Sequence, residues 1–235
     1  MNQAGLVLLI AVLDGVGFTL VGVGIVLAHT ETLEPQKALG ICNVGGAILL
    51  LSVLAAHLLV LRKVGFVAAF LAGCVTVGAI AFAASQTPLF KLPWINDIST
   101  DVDLPPPLSM ALPGRKPESP PLPPEFVPQI RKAYPDLKPI LTVQAPADVL
   151  PKVAAAVKSL PGAAEVRVDE AAGLVHAVEI TPLMRFRDDF TVRVRPEGSG
   201  SRIDVRSRSR VGKSDLGANA ARIRRVLEAI QRAVS

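Results

Sequence analysis

Three long apolar runs dominate the first 86 residues of the chain. They cover residues 6–28, 38–61 and 64–84 and contain one charged side chain between them, that of Asp14. A helix needs about 20 residues to cross the roughly 30 Å hydrocarbon layer, and in lipid its backbone amides must be bonded within the segment. The pattern therefore predicts three transmembrane helices. A cleaved signal peptide would begin with basic residues, and none precedes Leu6.

The charges between the runs indicate the orientation of the helices. Arg62 and Lys63 alone separate the second and third runs, and basic residues in short loops favour the cytoplasmic side. We therefore expect the N-terminus inside and everything after Ala84 outside. Trp94, the only tryptophan, would then be either an aromatic anchor at the outer membrane interface or a packed residue of the following domain.

Polar and small side chains within the runs are candidates for contacts between helices. Asp14 and His57 differ in depth by roughly 6 Å at 1.5 Å per residue, so they can pair if their helices are adjacent. Such a pair would be either a proton-handling site or an interhelical hydrogen bond. Small residues at four-residue spacing would allow close packing inside the protein or against a partner; they are Ala11, Gly15 and Thr19, and Gly65, Ala69 and Gly73.

A proline-rich stretch follows the apolar runs. Ten prolines lie between Leu104 and Pro128. Proline lacks an amide donor and fixes φ, so this stretch can form neither a helix nor a central strand. Residues 87–128 are therefore predicted to be an extended, semi-rigid spacer, with a binding role for the prolines as the alternative.

Regular periodicities appear after the prolines. A helical repeat covers residues 147–160 and 215–234. Alternation predicts strands at 164–169, 174–181, 184–195 and 202–210, with one more near 139–143. Each strand has one apolar face. Residues 129–235 are therefore predicted to be an α+β two-layer domain, an antiparallel meander sheet with helices on one face.

Four segments of this region resemble the domain-of-unknown-function family 1499. They are Trp94–Asp101 (WINDISTD), Tyr134–Pro139 (YPDLKP), Arg185–Asp189 (RFRDD) and the longer run Ser201–Leu227. The resemblance covers about residues 92–235. It implies a protein of the bacterial inner (plasma) membrane, because members often carry N-terminal spans, and it implies no activity and no cofactor.

The net charge of +5 belongs to the residues after Gln86, because the first 86 residues carry three basic and three acidic side chains. On the predicted hairpin the arginines share one polar face. We interpret this face either as a surface for anionic lipid headgroups or an acidic protein partner, or as a solvated face neutralised by nearby carboxylates. Nucleic acid is not expected, since the face lacks aromatic residues for stacking and points away from the cytoplasm. The arginines are Arg185, Arg187, Arg193 and Arg195 on one strand and Arg202, Arg206, Arg208 and Arg210 on the other.

Motifs for catalysis or metal binding are weak. Lys213 lies in a VGKS segment, but Ser207 stands where a phosphate-binding loop needs glycine, so Lys213 is either an anion contact at a helix start or part of a simple cap. Neighbouring arginines would keep Asp188 and Asp189 ionised, which opposes acid catalysis. His176 is the only histidine after residue 86, and its alternation predicts a position in the core. A zinc centre or a catalytic triad is therefore not expected.

These patterns together predict a three-span membrane protein with an extracytoplasmic domain, without enzymatic activity, metal or cofactor. The leading hypothesis is a structural or accessory subunit that docks on a protein partner through its helices or through the basic face. The alternatives are a binding module for anionic lipid or another envelope ligand, and a hydrolase that uses Asp188 or Asp189.

Overall fold

A computed structural model describes residues 3–64, 73–74, 92–108 and 120–235, which form an N-terminal helical unit and a C-terminal domain. In the helical unit, α1 spans Gln3–His29 and α2 spans Pro35–Val64. The stretches Gly5–His29 and Pro35–Ala56 have mean hydropathies of 2.4 and 2.2 and are long and apolar enough to cross a membrane. The predicted third span, 64–84, lies outside the described residues apart from its junction with α2 and positions 73 and 74.

Helix α2 differs from the predicted second span at both ends. It begins at Pro35 rather than residue 38 and continues to Val64, so Arg62 and Lys63 belong to its last turns rather than to a loop. The apolar pattern could not reveal this, because charged residues at the end of a span are compatible with a helix that continues into the headgroup region.

The two helices pack along a seam of small side chains. A Cβ added to Gly45 would lie 2.6 Å from the carbonyl oxygen of Gly17, and one added to Gly24 would lie 2.8 Å from that of Ala38. The α2 residues of this seam, Ala38, Gly45 and Ser52, recur every seven residues, which is the spacing of a supercoiled helix pair. The predicted ladder of residues 11, 15 and 19 is not in this seam, since a Cβ on Gly15 would meet nothing within 4 Å. The buried seam residues are Gly17, Gly24, Ala28, Ala38, Gly45 and Ser52.

The C-terminal domain is built on an antiparallel sheet. Consecutive hairpins join β3, β4, β5 and β6 into the predicted meander, and the short β1 and β2 both pair with the outer edge of β6. The strands of the described residues are β1 (Asp97–Ser99), β2 (Ile140–Thr142), β3 (Ala163–Asp169), β4 (Leu174–Ile180), β5 (Arg187–Glu197) and β6 (Gly200–Ser209).

Helices cover one face of this sheet, as predicted. A 3₁₀ turn at Pro124–Phe126 leads into α3 (Val127–Ala133), and α4 (Pro146–Lys158) and α5 (Ala218–Val234) follow later in the chain. The core lies between α4, α5 and the sheet. Its fully buried residues include Val149, Val153, Val192, Ile203, Ile223, Val226 and Ile230.

Helix α5 begins later in the chain than the periodicity predicted. The helix begins at Ala218, and the Asp215 carboxylate accepts hydrogen bonds from the amides of Gly217 and Asn219 at 2.8 and 2.9 Å. These bonds satisfy two amides at the start of the helix. Leu216 falls within the predicted helical repeat 215–234, but it precedes the helix and is 56% exposed.

The described part of the predicted spacer belongs to the C-terminal domain. Strand β1 lies within residues 87–128, and Ile95, Ile98 and Leu122 are buried in the main core. The domain therefore begins near Leu92 rather than at residue 129. Trp94 is 69% exposed, so its interpretation as a packed residue is wrong.

The same segment also covers part of the second face of the sheet, which was expected to be open to solvent. The side chain of Arg193 donates to the carbonyl of Leu104, and that of Arg206 donates to the carbonyls of Pro106 and Pro120. The sheet is thus flanked by helices on one face and by extended chain on part of the other.

A β-bulge in β3 and a strand buried on both sides, β4, limit what alternation can predict about the two faces of the sheet. Glu165 (φ 52) lies where the register of β3 against β4 shifts, so Ala164 and Val166 are on opposite faces. His176 pairs with Thr191 on the face away from α4 and α5, not in the core. Both faces of β4 carry buried apolar residues, Val175 on one and Val178 on the other, so alternation alone could not orient the histidine.

Candidate functional site

The register of β5 and β6 brings five of the predicted arginines onto one face of the sheet. Arg195 lies opposite Arg202, Arg193 opposite Asp204, and Thr191 opposite Arg206. In the same register, Asp189 of β5 lies opposite Arg208 of β6. The convergence predicted from alternation is therefore present for Arg193, Arg195, Arg202, Arg206 and Arg208.

The other predicted basic residues lie at the ends of these strands or outside them. Arg185 precedes β5 with a φ of 57°, and so does not belong to the strand. Arg187 opens β5 opposite Ile180, on the same face as Arg193 and Arg195, and its guanidinium lies 2.6 Å from Glu165. Arg210 follows β6 and chelates Asp189, with two bonds of 2.8 Å. Lys213 is exposed in the loop before α5.

Arg206 is an internal residue, which corrects its assignment to an exposed basic surface. Its side chain is 2% exposed and forms a bidentate ion pair with Asp97 at 3.0 and 2.8 Å. Arg208 approaches the same carboxylate at 3.5 Å. Since β1 supplies Asp97 and the proline-rich chain supplies two carbonyl acceptors, the Arg206 guanidinium is satisfied inside the domain.

A second cluster contains Arg193, Arg195 and Arg202 together with the buried carboxylates of Asp101 and Asp204. Arg193 lies 3.1 Å from Asp101 and 3.2 Å from Asp204, and Arg202 lies 3.0 Å from Asp204. Arg195 is 3.7 Å from both carboxylates, and its side chain is 34% exposed. Three guanidiniums therefore share two buried carboxylates, and Arg195 also lies 3.4 Å from the exposed carboxylate of Glu197 at the rim of this group. The hydrogen bond to Asp204 raises the pKa of Arg202 above its ordinary value, which keeps that guanidinium charged. We call the five residues Arg193, Arg195, Arg202, Asp101 and Asp204 the arginine cluster.

An open groove adjoins the arginine cluster. It has a volume of about 370 Å³ and lies between the chain after β1 and the end of α3. Asp101 and Arg202 contribute to its wall, together with Tyr134 and Arg131. Tyr134 is buried, which raises the pKa of its hydroxyl. The groove therefore combines ion-paired arginines with the phenol ring of Tyr134.

A buried polar network lies on the opposite face of the sheet, beneath α5. Arg222, 1% exposed, donates to Asp188 at 2.7 Å, to Ser207 at 2.8 Å and to Asn219 at 2.6 Å. Burial raises the pKa of Asp188, and the neighbouring Arg222 partly offsets this effect. Sequence reasoning missed Arg222 and Asn219. The available signal was two polar residues three positions apart within the apolar stripe of a helix.

The carboxylates considered for acid–base chemistry are both enclosed. Asp188 binds Arg222 under the helix, and Asp189 binds Arg210 on the other face. Their side chains are 6% and 4% exposed. His176 is half-buried and its Nδ1 lies 2.8 Å from the Thr191 hydroxyl, while burial lowers its pKa. This arrangement brings none of the three to the groove.

In the helical unit, the hydroxyl of Ser52 donates a hydrogen bond to Asp14. The side chain of His57 lies outside the described residues, so the Asp14–His57 pair stays a prediction. Ser52 lies five residues before His57 on α2 and was not identified from the sequence.

Within residues 3–64, 73–74, 92–108 and 120–235, no group of three or more His, Cys, Asp or Glu side chains is arranged to hold a metal ion. Comparison with curated proteins gives no match. The model of the family described as "Protein of unknown function (DUF1499)" matches residues 97–230, which is more than half of the chain and includes the arginine cluster, the groove and the network beneath α5. The chain therefore belongs to the DUF1499 family.

Proposed function

We propose that this protein is a membrane-anchored accessory subunit whose C-terminal domain binds an acidic protein partner and has no catalytic activity of its own. The two apolar helices support anchoring, since each is long enough to cross a membrane. The observation that carries the binding role is the partly exposed guanidinium of Arg195 in the arginine cluster, whose contacts with carboxylates are long, at 3.4 to 3.7 Å.

The guanidinium of Arg195 is the least tightly held of the three and favours an anionic partner. Asp101 and Asp204 are buried and already contact all three arginines. Arg195 reaches these two carboxylates only at 3.7 Å, and it lies 3.4 Å from the carboxylate of Glu197. Because Arg195 and Glu197 are 34% and 44% exposed, their ion pair is screened by water, and a carboxylate of a partner can compete for Arg195. An arginine fork binds a carboxylate in two parallel hydrogen bonds, so an Asp or Glu side chain of a partner fits this place.

The burial and the ion pairs of Asp188 and Asp189, the two carboxylates considered for catalysis, support a role without catalysis. An acid–base pair needs groups that reach a substrate and have pKa values suited to proton transfer. Asp188 and Asp189 are instead buried and bound to arginines on opposite faces of the sheet. These contacts stabilise the fold.

The proposal is tested by Arg195→Gln in the full-length protein, extracted from native membranes in a mild detergent. Arg195 is suited to this test because its contacts with the two carboxylates are long, at 3.7 Å, so the domain should remain folded. We expect recovery of the bound partner to fall about tenfold, the loss produced by ~1.4 kcal/mol of binding free energy. Arg232→Gln, an exposed arginine of α5, is the matched control and should retain the partner.

Equal recovery from the wild-type protein and both variants would contradict binding at the arginine cluster. Co-purification of anionic lipid alone, lost in Arg195→Gln and kept in Arg232→Gln, would instead support a lipid-binding module. Both outcomes are read by mass spectrometry of the protein and lipid that remain on the purified chain.

A further inference from the structure

We infer that one end of the C-terminal domain, formed by residues 92–96 and 210–217, lies in the headgroup region of a lipid bilayer. Trp94 and Leu216 would be its apolar contacts. This inference rests on the proposed membrane anchoring, and it adds which surface of the domain meets the lipid.

The two segments form one fixed junction. The amide of Asp215 donates to the carbonyl of Ile95 at 3.1 Å. A Cβ added to Gly217 would lie 2.8 Å from the Cδ1 atom of Leu92, which shows how closely the leucine packs there. Ile95 is buried in the main core, so the junction is part of the folded domain.

Trp94 and Leu216 project from this junction. Trp94 lies in the chain between Leu92 and Ile95, and Leu216 lies between their contacts Gly217 and Asp215. The side chains therefore leave the domain at the same end. They are 69% and 56% exposed, so this junction presents two large apolar groups to the surroundings of the domain.

The backbone of Leu216 is unfavourable for a residue that only faces water. Its φ of 50° lies in the left-handed region, where glycine or asparagine is usual and a leucine is strained. Strain that holds a residue in such a conformation is concentrated at sites that contact ligands or other surfaces. Here it presents an apolar side chain outward.

A bilayer fits this end of the domain better than another kind of partner. Tryptophan is enriched where headgroups meet the hydrocarbon, and Lys91 and Lys213 add cations that anionic headgroups attract. Only seven residues separate Leu92 from the apolar run 64–84. Seven residues span at most about 25 Å, so the chain keeps this end close to a membrane that the run would cross.

The fluorescence of Trp94 provides the test, because no other tryptophan is present in the chain. The full-length protein is reconstituted into vesicles of phosphatidylcholine and phosphatidylglycerol with plain or brominated acyl chains. Bromine quenches only an indole that is close to it. A tryptophan at the interface should therefore emit about twofold less light in the brominated vesicles, and acrylamide in the water should quench it weakly.

Leu216→Ser removes one of the two contacts and should reduce the quenching by bromine. Leu141→Ser is the matched control, because Leu141 is also exposed, at 66%. Leu141 pairs with Arg202 of β6, whereas Asp97, which is close to Trp94 in the chain, pairs with Arg208. Arg202 and Arg208 are six residues apart, about 20 Å along the strand. Leu141 is therefore far from the Trp94 end of the domain.

Equal emission in plain and brominated vesicles, from a protein that resists extraction by alkaline carbonate, would overturn the inference and leave the anchoring in place. Quenching that Leu216→Ser and Leu141→Ser leave equally strong would also overturn it, since Leu216 would not be a contact. Extraction of the wild-type protein by carbonate would contradict the proposed anchoring itself.

Discussion

Buried arginines hold together elements that are distant in the sequence. Arg206 joins β6 to Asp97 of β1 and to the proline-rich chain, and Arg222 joins α5 to Asp188 of β5. A guanidinium can be buried only if its donors are bonded and its charge is paired. Each arginine therefore restricts the fold to an arrangement in which its carboxylate and its neutral acceptors are present together.

Replacement of Arg222 should show how strongly the domain depends on these pairs. Arg222→Leu leaves Asp188 buried without its cation, and we expect the free energy of unfolding to fall by about 3–5 kcal/mol. Pulse proteolysis of the detergent-solubilised full-length chain across a urea series measures this change. Arg225→Leu is the matched control on the same helix. Its side chain is 49% exposed where it contacts Glu179, so its loss should cost at most about 1 kcal/mol.

An equal loss of stability in the two variants would show that the Arg222 network contributes no more than a surface ion pair. A double variant, Arg222→Leu with Asp188→Leu, separates the two causes of instability. It removes the stranded charge, so it should recover part of the loss.

The same residues show what alternation can and cannot predict. The alternation of polar and apolar residues correctly predicted that one face of the sheet carries Arg193, Arg195, Arg202, Arg206 and Arg208. It did not show that another segment covers the part of that face around Arg206, because such a cover depends on contacts more than 80 residues away in the chain. For the same reason the sequence predicted a basic surface where the structure has arginines paired with carboxylates.

At the scale of elements, the packing of α1 and α2 depends on the absence of side chains in the seam. Gly45→Leu places a side chain where a Cβ alone would lie 2.6 Å from the backbone of α1. Overpacking of this kind costs about 1–3 kcal/mol, so the pair should open. Cys42 is half-buried beside Gly24, and its thiol should then react faster with a membrane-permeant maleimide.

The measurement uses a Cys74→Ser background, which leaves Cys42 as the only thiol in the chain. Gly46→Leu is the control, since a Cβ on Gly46 would meet nothing within 4 Å. The same labelling rate in both glycine variants would contradict the seam. A rate raised by Gly45→Leu alone would support it.

Strong local periodicity explains which elements could be predicted. The meander β3–β6 and the helices α4 and α5 are long enough for their repeats to be visible. Strand β1 has three residues and pairs with β6 about 110 positions later, so no local repeat indicates it. The bulge at Glu165 inserts one residue, which reverses the faces in part of β3 without changing the apparent alternation.

At the scale of the whole molecule, the two proposed contacts occupy different places on the C-terminal domain. The Trp94 end lies beside β1, near Arg208 of β6, whereas Arg195 and Arg202 lie beside the hairpin that joins β5 to β6. If the first end meets the bilayer, the hairpin end is left available to a protein partner. The arrangement explains how one small domain can be held at a membrane and bind at the same time.

The number of membrane crossings determines which compartment that partner occupies. With the N-terminus inside, two crossings would return the chain to the cytoplasm, whereas the third predicted span, 64–84, would place the domain outside. Because basic residues favour the cytoplasmic side, Arg62 and Lys63 argue for a cytoplasmic end of α2 and hence for an outward third crossing. We therefore expect a phosphatase reporter fused after Ser235 to be active and a green fluorescent protein fused there to be dark. Insertions after Thr32 and after Lys63 serve as paired controls, expected outside and inside respectively. A fluorescent fusion at Ser235 combined with those two control results would reject the third crossing and place the arginine cluster in the cytoplasm.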